Sequence, residues 1–522
     1  MTPTGLTRAE LEAKGRKLIR KEGRQILLLA DAGKIFAIAN RCPHEGYPLS
    51  EGTPGPGAVL TCNWHNWKFD LASGEALIGR DPVRTYAVEE RDGEIWIDLS
   101  APPPERLCAR ALSGLDAALA DNDMARMARE VARLEKAGFS AKTALVHAFT
   151  ARNDRLEGGM THAYAAAADW LALAARAPSE AARLSATLEP LAHLAWDTEG
   201  ADRFPYADGT MPWNEVAFVA AVEAEDEARA LALVRGATAA RVPYAELRPA
   251  FAEAALAHYA DFGHSAIYAL KAGQLIERLG DDIAAPLLLA YTRQLVRATR
   301  EERLPEFRDY AGALARWDGQ GFEPARAEDF IGLSVDAVLE RVLRSSGLPW
   351  REIYDALLGA AAWNLLHFDL AVEHATGNAI ADNVGWLDFT HALTFADACR
   401  HLCADRPGLW PRALLQLALF IGRNRKYVTE GLETAQWQVA DTDAFVAREM
   451  AALYDHGLVE PIIACHRLKM LFALKDELNA SPDAPWTNIM CAAVNRFLNT
   501  PMKRRHSLRN ARQALEFIAL EG

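Results

Sequence analysis

Three things are scarce in this chain of 522 residues. Long hydrophobic runs are missing. No apolar stretch reaches the ~18 residues a membrane-spanning helix needs, and the charged Met1 to Gly23 segment lacks the apolar core of a secretory signal. Cysteine is sparse: seven residues, an odd number and scattered, exclude a disulfide framework and leave metal binding as the better use for any that cluster. Basic charge is in deficit, 57 Lys and Arg against 70 Asp and Glu, and a net charge of −13 argues against a grip on nucleic acid or on an anionic membrane surface. A soluble, cytoplasmic protein with small-molecule or protein partners is expected, and self-association into a homo-oligomer stays open. Neither a Gly-x-Gly-x-x-Gly dinucleotide fingerprint nor a Gly-x-Ser-x-Gly nucleophile elbow occurs.

What is present has globular composition, 50% hydrophobic and 24% charged. Between residues 20 and 100, short β-rich runs alternate with turn clusters: Gln25 to Leu29, Ile35 to Ala39, Ala58 to Cys62, Asn66 to Asp70, Thr85 to Glu89 and Ile95 to Leu99. The prolines of Ala101-Pro102-Pro103-Pro104 stiffen the chain and mark a boundary. Beyond it, apolar residues recur at three- and four-residue spacing in an Ala- and Leu-rich background, as in Ala284 to Ala298. Two domains are expected, an N-terminal all-β domain over residues 1–101 and a large all-α domain over 102–522. Faint repeats run through the second. Pro212-Trp213, Pro349-Trp350 and Pro485-Trp486 recur at intervals of 137 and 136 residues, and Asp261-Phe262-Gly263-His264 is echoed by Asp388-Phe389-Thr390-His391 and more weakly by Met160-Thr161-His162. Duplicated helical units and chance helix-start signals account for these equally well.

The strongest motif is Cys42-Pro43-His44 with Cys62-Asn63-Trp64-His65, seventeen residues apart. Each half offers one thiolate and one imidazole at a predicted strand end, a donor set that tetrahedral zinc could use. The wider stretches Cys42-Pro43-His44-Glu45-Gly46 and Cys62 to Asp70 with Gly74 closely resemble the Rieske family, over about residues 15–100. The resemblance implies a 2Fe-2S cluster, with Cys42 and Cys62 on an inner iron and His44 and His65 on an outer, redox-changing iron. This copy departs from the high-potential members of that family. Tyr47 and Trp64 stand where those carry a disulfide, and Trp67 replaces a serine that bonds a cluster sulfur, so a low potential and a role as one-electron donor are expected. Asn66 replaces the glycine usual in ring hydroxylases, which suggests an altered loop backbone there.

The helical domain lacks the Asp-x-x-His-x-x-x-x-His iron motif of ring hydroxylases. Asp261/His264 and Asp388/His391 nevertheless put a carboxylate and an imidazole on one helical face each, the pairing that lines iron sites in helical bundles, and these four form the candidate second metal site. His147, His162, His367 and His374 are further candidates, whereas Cys399 and Cys403 read as small core residues. Cys465-His466 adjacency carries no sign of nucleophilic catalysis, and Lys503-Arg504-Arg505-His506 reads as a solvated helix end. The helical region, about residues 110–520, is loosely similar to questin oxidase-like proteins without a diagnostic motif. Together these features point to a monooxygenase performing hydroxylation or Baeyer–Villiger-type oxidation of a small organic substrate with O2. The cluster would feed an additional non-haem iron and an NAD(P)H-dependent reductase would feed the cluster. The alternative is an electron-transfer adaptor whose acidic helical domain docks a partner enzyme.

Overall fold

A computed structural model describes residues 1–503 and 505–521, so Arg504 of the basic run lies outside the described residues. The chain divides into two compact units, Met1–Arg110 and Ala111–Gly522.

The first unit is β-rich, as its turn spacing predicts, but it starts earlier than expected. Thr2–Thr7 pairs antiparallel with Glu94–Ile97, which pairs with Val88–Arg91. A second antiparallel sheet runs Arg16–Lys21, Arg24–Asp31, Lys34–Ala39 and Thr85–Tyr86, and a third runs Thr53–Gly55, Val59–Thr61, Lys68–Asp70 and Ala76–Ile78. The strand Arg24–Asp31 buries both of its faces, which explains its unbroken apolar run. Side chains alternate across a strand, so Leu27 and Leu29 join the core around Cys42 and Cys62, while Ile26 and Leu28 join the one around Ile95 and Ile97. The two cysteine loops therefore leave from the edge of a rigid apolar platform.

The second unit is helical. Pro104, at a position where the missing proline N–H costs nothing, opens the helix Pro104–Ala120, which spans the division at Arg110. The three Pro-Trp pairs all sit at helix starts, before Glu215–Glu223, Trp350–Leu366 and Thr487–Asn499.

Four helices matter most: His162–Ala174, His264–Leu279, Trp386–Asp405 and Pro461–Ala480. Each packs on the next and the last on the first, closing a ring. Most of their residues are buried, as in helices inside a large protein, and residues 163–170 are all buried. They also run in the same sense. His162 meets His264 and, seven residues on, Asp169 meets Lys271; His391 meets His466 and, ten residues on, His401 meets Asp476. One end of each helix thereby reaches a common point.

The turn into the first of these helices is held tightly. Gly159 has φ +86°, and a Cβ there would lie 2.3 Å from the Ala290 carbonyl oxygen and 2.6 Å from the Gln294 nitrogen. Next to it the Met160 N–H donates to Ala290, and the Thr161 hydroxyl caps the helix while donating to Asp197 at 2.6 Å. Gly159→Ala is expected to destabilise the helical unit by about 1–3 kcal/mol, through backbone strain and the close carbonyl, as read from urea unfolding. An unchanged unfolding midpoint would contradict this packing.

Candidate functional site

The two cysteine loops are built alike. In the first, the Cys42 N–H donates to the Tyr47 carbonyl and the Gly46 N–H donates to the Cys42 carbonyl; in the second, Cys62 donates to Trp67 and Asn66 to Cys62. Closing such a turn needs a left-handed residue four places after the cysteine, and Gly46 (φ +82°) and Asn66 (φ +60°) both supply it. The expected change of loop backbone at Asn66 therefore does not occur, because asparagine tolerates this conformation better than most residues do. Cys42 and Cys62 are buried, and burial, with the adjacent Cys62, pushes the Cys42 thiol up to about 11. Near the surface the His44 and His65 rings face each other, Nδ1 to Nδ1, at 3.2 Å. Trp67 stacks flat on His44 at 4.7 Å, so it covers a histidine and does more than fill core. Tyr47 and Trp64, at the positions the resemblance assigns to a disulfide, touch ring to ring at 5.9 Å and bridge the loops by aromatic contact instead.

A second constellation sits where the four helices meet. The Nε2 atom of His264 is 3.1 Å from that of His162 and 2.9 Å from that of His391, and His391 Nε2 is 3.4 Å from His466 Nε2. The opposite ring nitrogens are engaged. Nδ1 of His264 donates to the Asp261 carbonyl at 2.5 Å, that of His391 to Leu387 at 2.6 Å and that of His466 to Ile462 at 2.7 Å, while His162 Nδ1 pairs with the Tyr268 hydroxyl at 3.3 Å. A neutral imidazole has one N–H, and the carbonyl contacts of His264, His391 and His466 use it at Nδ1. Their Nε2 atoms thus meet as bare lone pairs, while the Tyr268 hydroxyl is able to donate to or accept from His162 Nδ1. Burial lowers the affinity of all four rings for a second proton, holding His264 near about 4 and the others well below 6.5. A cation resolves the conflict. Ring nitrogens of His162, His264 and His391 all lie within 4.8 Å of one another, while His466 stands outside that group and reaches it through His391 at 3.4 Å. Nitrogens bound octahedrally at ~2.1 Å are ~3.0 Å apart, close to the 2.9 and 3.1 Å spacings within the three.

The turn before His264 is strained to achieve this. Asp261 and Phe262 have φ +48° and +52°, followed by Gly263 at +81°. Left-handed non-glycine residues cost about 1–2 kcal/mol each, and such outliers gather at functional sites. Asp261 N–H to Thr299 and Phe262 N–H to the Glu301 carboxylate hold the turn. The two aspartates expected as ligands do not point at the nitrogens. Asp261 offers its backbone carbonyl to His264 and its carboxylate to Gln294, and Asp388 caps the Gly385 N–H and pairs with Arg423 at 3.1 Å. His162 completes the group instead, and His466 stands beside His391, its sequence signal only its sixth position in a helix, matching His391. Elsewhere, His147 pairs with Asp116, His367 stacks on Trp363, the His374 carbonyl accepts from Lys503, and Cys399 and Cys403 are buried core.

Residues 6–87 match the family model of the Rieske [2Fe-2S] domain. The 3-phenylpropionate/cinnamic acid dioxygenase ferredoxin subunit of Escherichia coli K12 is 37% identical over 81 residues, 15% of this chain and 76% of the subunit. The chain belongs to the Rieske family. The 4beta-methylsterol monooxygenase of Methylococcus capsulatus is 38% identical over 93 residues, 16% of this chain, and the chain spans only 25% of that relative's length. Among solved structures, the ferredoxin of carbazole 1,9a-dioxygenase from Nocardioides aromaticivorans IC177 is 26% identical and is covered completely by 19% of this chain, at a TM-score of 0.18. The cofactor of the Rieske domain is a 2Fe-2S cluster, and the structure suits it: two buried sulfur donors below, two imidazole nitrogens facing each other above.

Asn66→Gly is expected to keep wild-type stability and visible absorbance of the Rieske domain. Asn66→Val is expected to lose about 1–2 kcal/mol and part of its colour, because a β-branched residue resists φ +60°. Equal behaviour of the two variants would show that the loop does not depend on this conformation.

Proposed function

We propose that this Rieske oxidoreductase is a monooxygenase of a small organic substrate, in which the N-terminal cluster supplies single electrons to one non-haem iron held by His162, His264 and His391, with His466 beside His391. The convergence of bare Nε2 atoms carries this reading. In the Rieske domain, Cys42 and Cys62 hold the inner iron and His44 and His65 the outer one. When bound, the cluster carries one electron at a time and the non-haem iron activates O2, chemistry that no side chain supplies alone.

The residues do the rest. The Nδ1 hydrogen bonds to backbone carbonyls fix the tautomer and angle of His264, His391 and His466, and Tyr268 orients His162, so the donors are in place before a metal arrives. Burial keeps them neutral and excludes bulk water. Trp67 shields His44 on the cluster side. An NAD(P)H-dependent reductase as electron source follows from the lack of a nucleotide fingerprint, and no helix among the described residues is long and apolar enough to cross a membrane. An adaptor would have no use for three converging imidazoles.

Metal analysis tests the reading. About three iron atoms and about two acid-labile sulfides per chain are expected. His162→Ala and His391→Ala should each lose the third iron while keeping the cluster's electron paramagnetic resonance signal. A wild-type protein with two irons only would favour the adaptor. In a redox titration the cluster should have a midpoint near the low end of its class, about −150 mV, and a value well above zero would contradict its assignment as a low-potential donor.

A further inference from the structure

Below the four histidines the same helices carry a second polar layer. Asp169 and Lys271 follow His162 and His264 by seven residues, two helical turns along one face, and are joined at 2.7 Å. Asp397 follows His391 by six residues and Lys469 follows His466 by three. All four are buried. Burying charge costs several kcal/mol per group, whereas apolar side chains would stabilise a bundle axis at no such cost, so a purely structural role explains this layer poorly.

The layer continues outward. His401 Nε2 lies 2.5 Å from Asp476 and 3.7 Å from Asp397, and there the seam reaches solvent, with the His401 and Asp476 side chains 31% and 41% exposed. Arg400 pairs with Asp397, Asp476 and Glu477 and balances their charge. Three buried atoms along the way have no protein partner: Asp169 Oδ2, Lys469 Nζ and Glu477 Oε2. Orphaned buried polar atoms in a row are where ordered waters sit.

We propose that this seam is the proton path of the histidine centre, running from His401 and Asp476 at the surface through Asp397 and the Lys271–Asp169 pair to Lys469. The proposal rests on the monooxygenase reading, in which substrate, O2, two electrons and two protons become hydroxylated product and water. The Rieske cluster, recharged by the reductase, supplies the electrons one at a time. The seam supplies the protons, and each one it releases inward is replaced from solvent at His401. Burial first, then the Glu477 and Asp476 carboxylates, push the Asp397 carboxyl well above the ordinary range against the pull of Lys271. Asp397, Lys271 and Asp169 act as relay residues and touch no substrate.

The test uses the full-length, iron-loaded protein. A buried centre that gains an electron draws a proton, so photochemical reduction in the presence of a pH indicator should show proton uptake in the wild type. Asp397→Asn keeps the shape but cannot pass a proton, and His401→Ala lies far enough out to leave the fold intact. Both should slow uptake at least about tenfold, with iron content and the rate of cluster reduction unchanged. Added imidazole should restore His401→Ala, which a merely structural role would not allow. The infrared carboxylic-acid band present in the wild type should be missing in Asp397→Asn. A wild type with its third iron, and uptake equally fast in both variants, overturns the seam alone. A wild type without that iron overturns the monooxygenase reading and the seam with it.

Discussion

An imidazole has two nitrogens and, when neutral, a single proton; whichever nitrogen is made to donate leaves the other as a lone pair. In the helical unit that choice is made by the backbone. The carbonyls of Asp261, Leu387 and Ile462 each take an Nδ1–H, and the Tyr268 hydroxyl engages the fourth ring. Because side chains sit over the preceding turn of a helix, a histidine can reach the carbonyl three or four residues back. The bond is local, yet it turns the reactive atom inward on three of the four helices. Everything proposed for this unit depends on that constraint.

The fold converts the local rule into a site by bringing four helix ends to one point. Near-complete burial of the His162 helix and a held turn before His264 fix their positions, and the strain at Asp261 and Phe262 is sustained by hydrogen bonds their N–H groups donate to Thr299 and Glu301. A parallel arrangement places further side chains of the four helices in register two turns down, which is why a buried ion pair follows the histidines. The Rieske domain solves a similar problem differently. Its donors come from two matched turns on a β platform, and the left-handed residues Gly46 and Asn66 close them.

The two sites differ in how far they can be read from the chain. Cys42, His44, Cys62 and His65 lie within two short turns, so their spacing encodes their geometry. The histidine centre draws on residues up to three hundred positions apart, and nothing in local pattern reports such convergence. The Asp-Phe-x-His echo singled out His264 and His391 although one follows a left-handed turn and the other lies in the second turn of its helix. It also promoted Asp261 and Asp388, whose carboxylates serve Gln294 in one case and the helix start and Arg423 in the other. His466 had no echo beyond its place in its helix. The early strand Thr2–Thr7 was hidden by a polar composition, since its pairing with Glu94–Ile97 is a matter of long-range register.

The central claim is that this chain holds two unlike iron centres, one with sulfur donors and one with imidazole nitrogens alone. Mössbauer spectroscopy of isotope-enriched, anaerobically reduced protein addresses it most directly. The account requires the paired signals of a mixed cysteine and histidine cluster together with a separate high-spin ferrous site of all-nitrogen character, the latter abolished in His264→Ala. A spectrum containing the cluster alone, unchanged by that substitution, would contradict it.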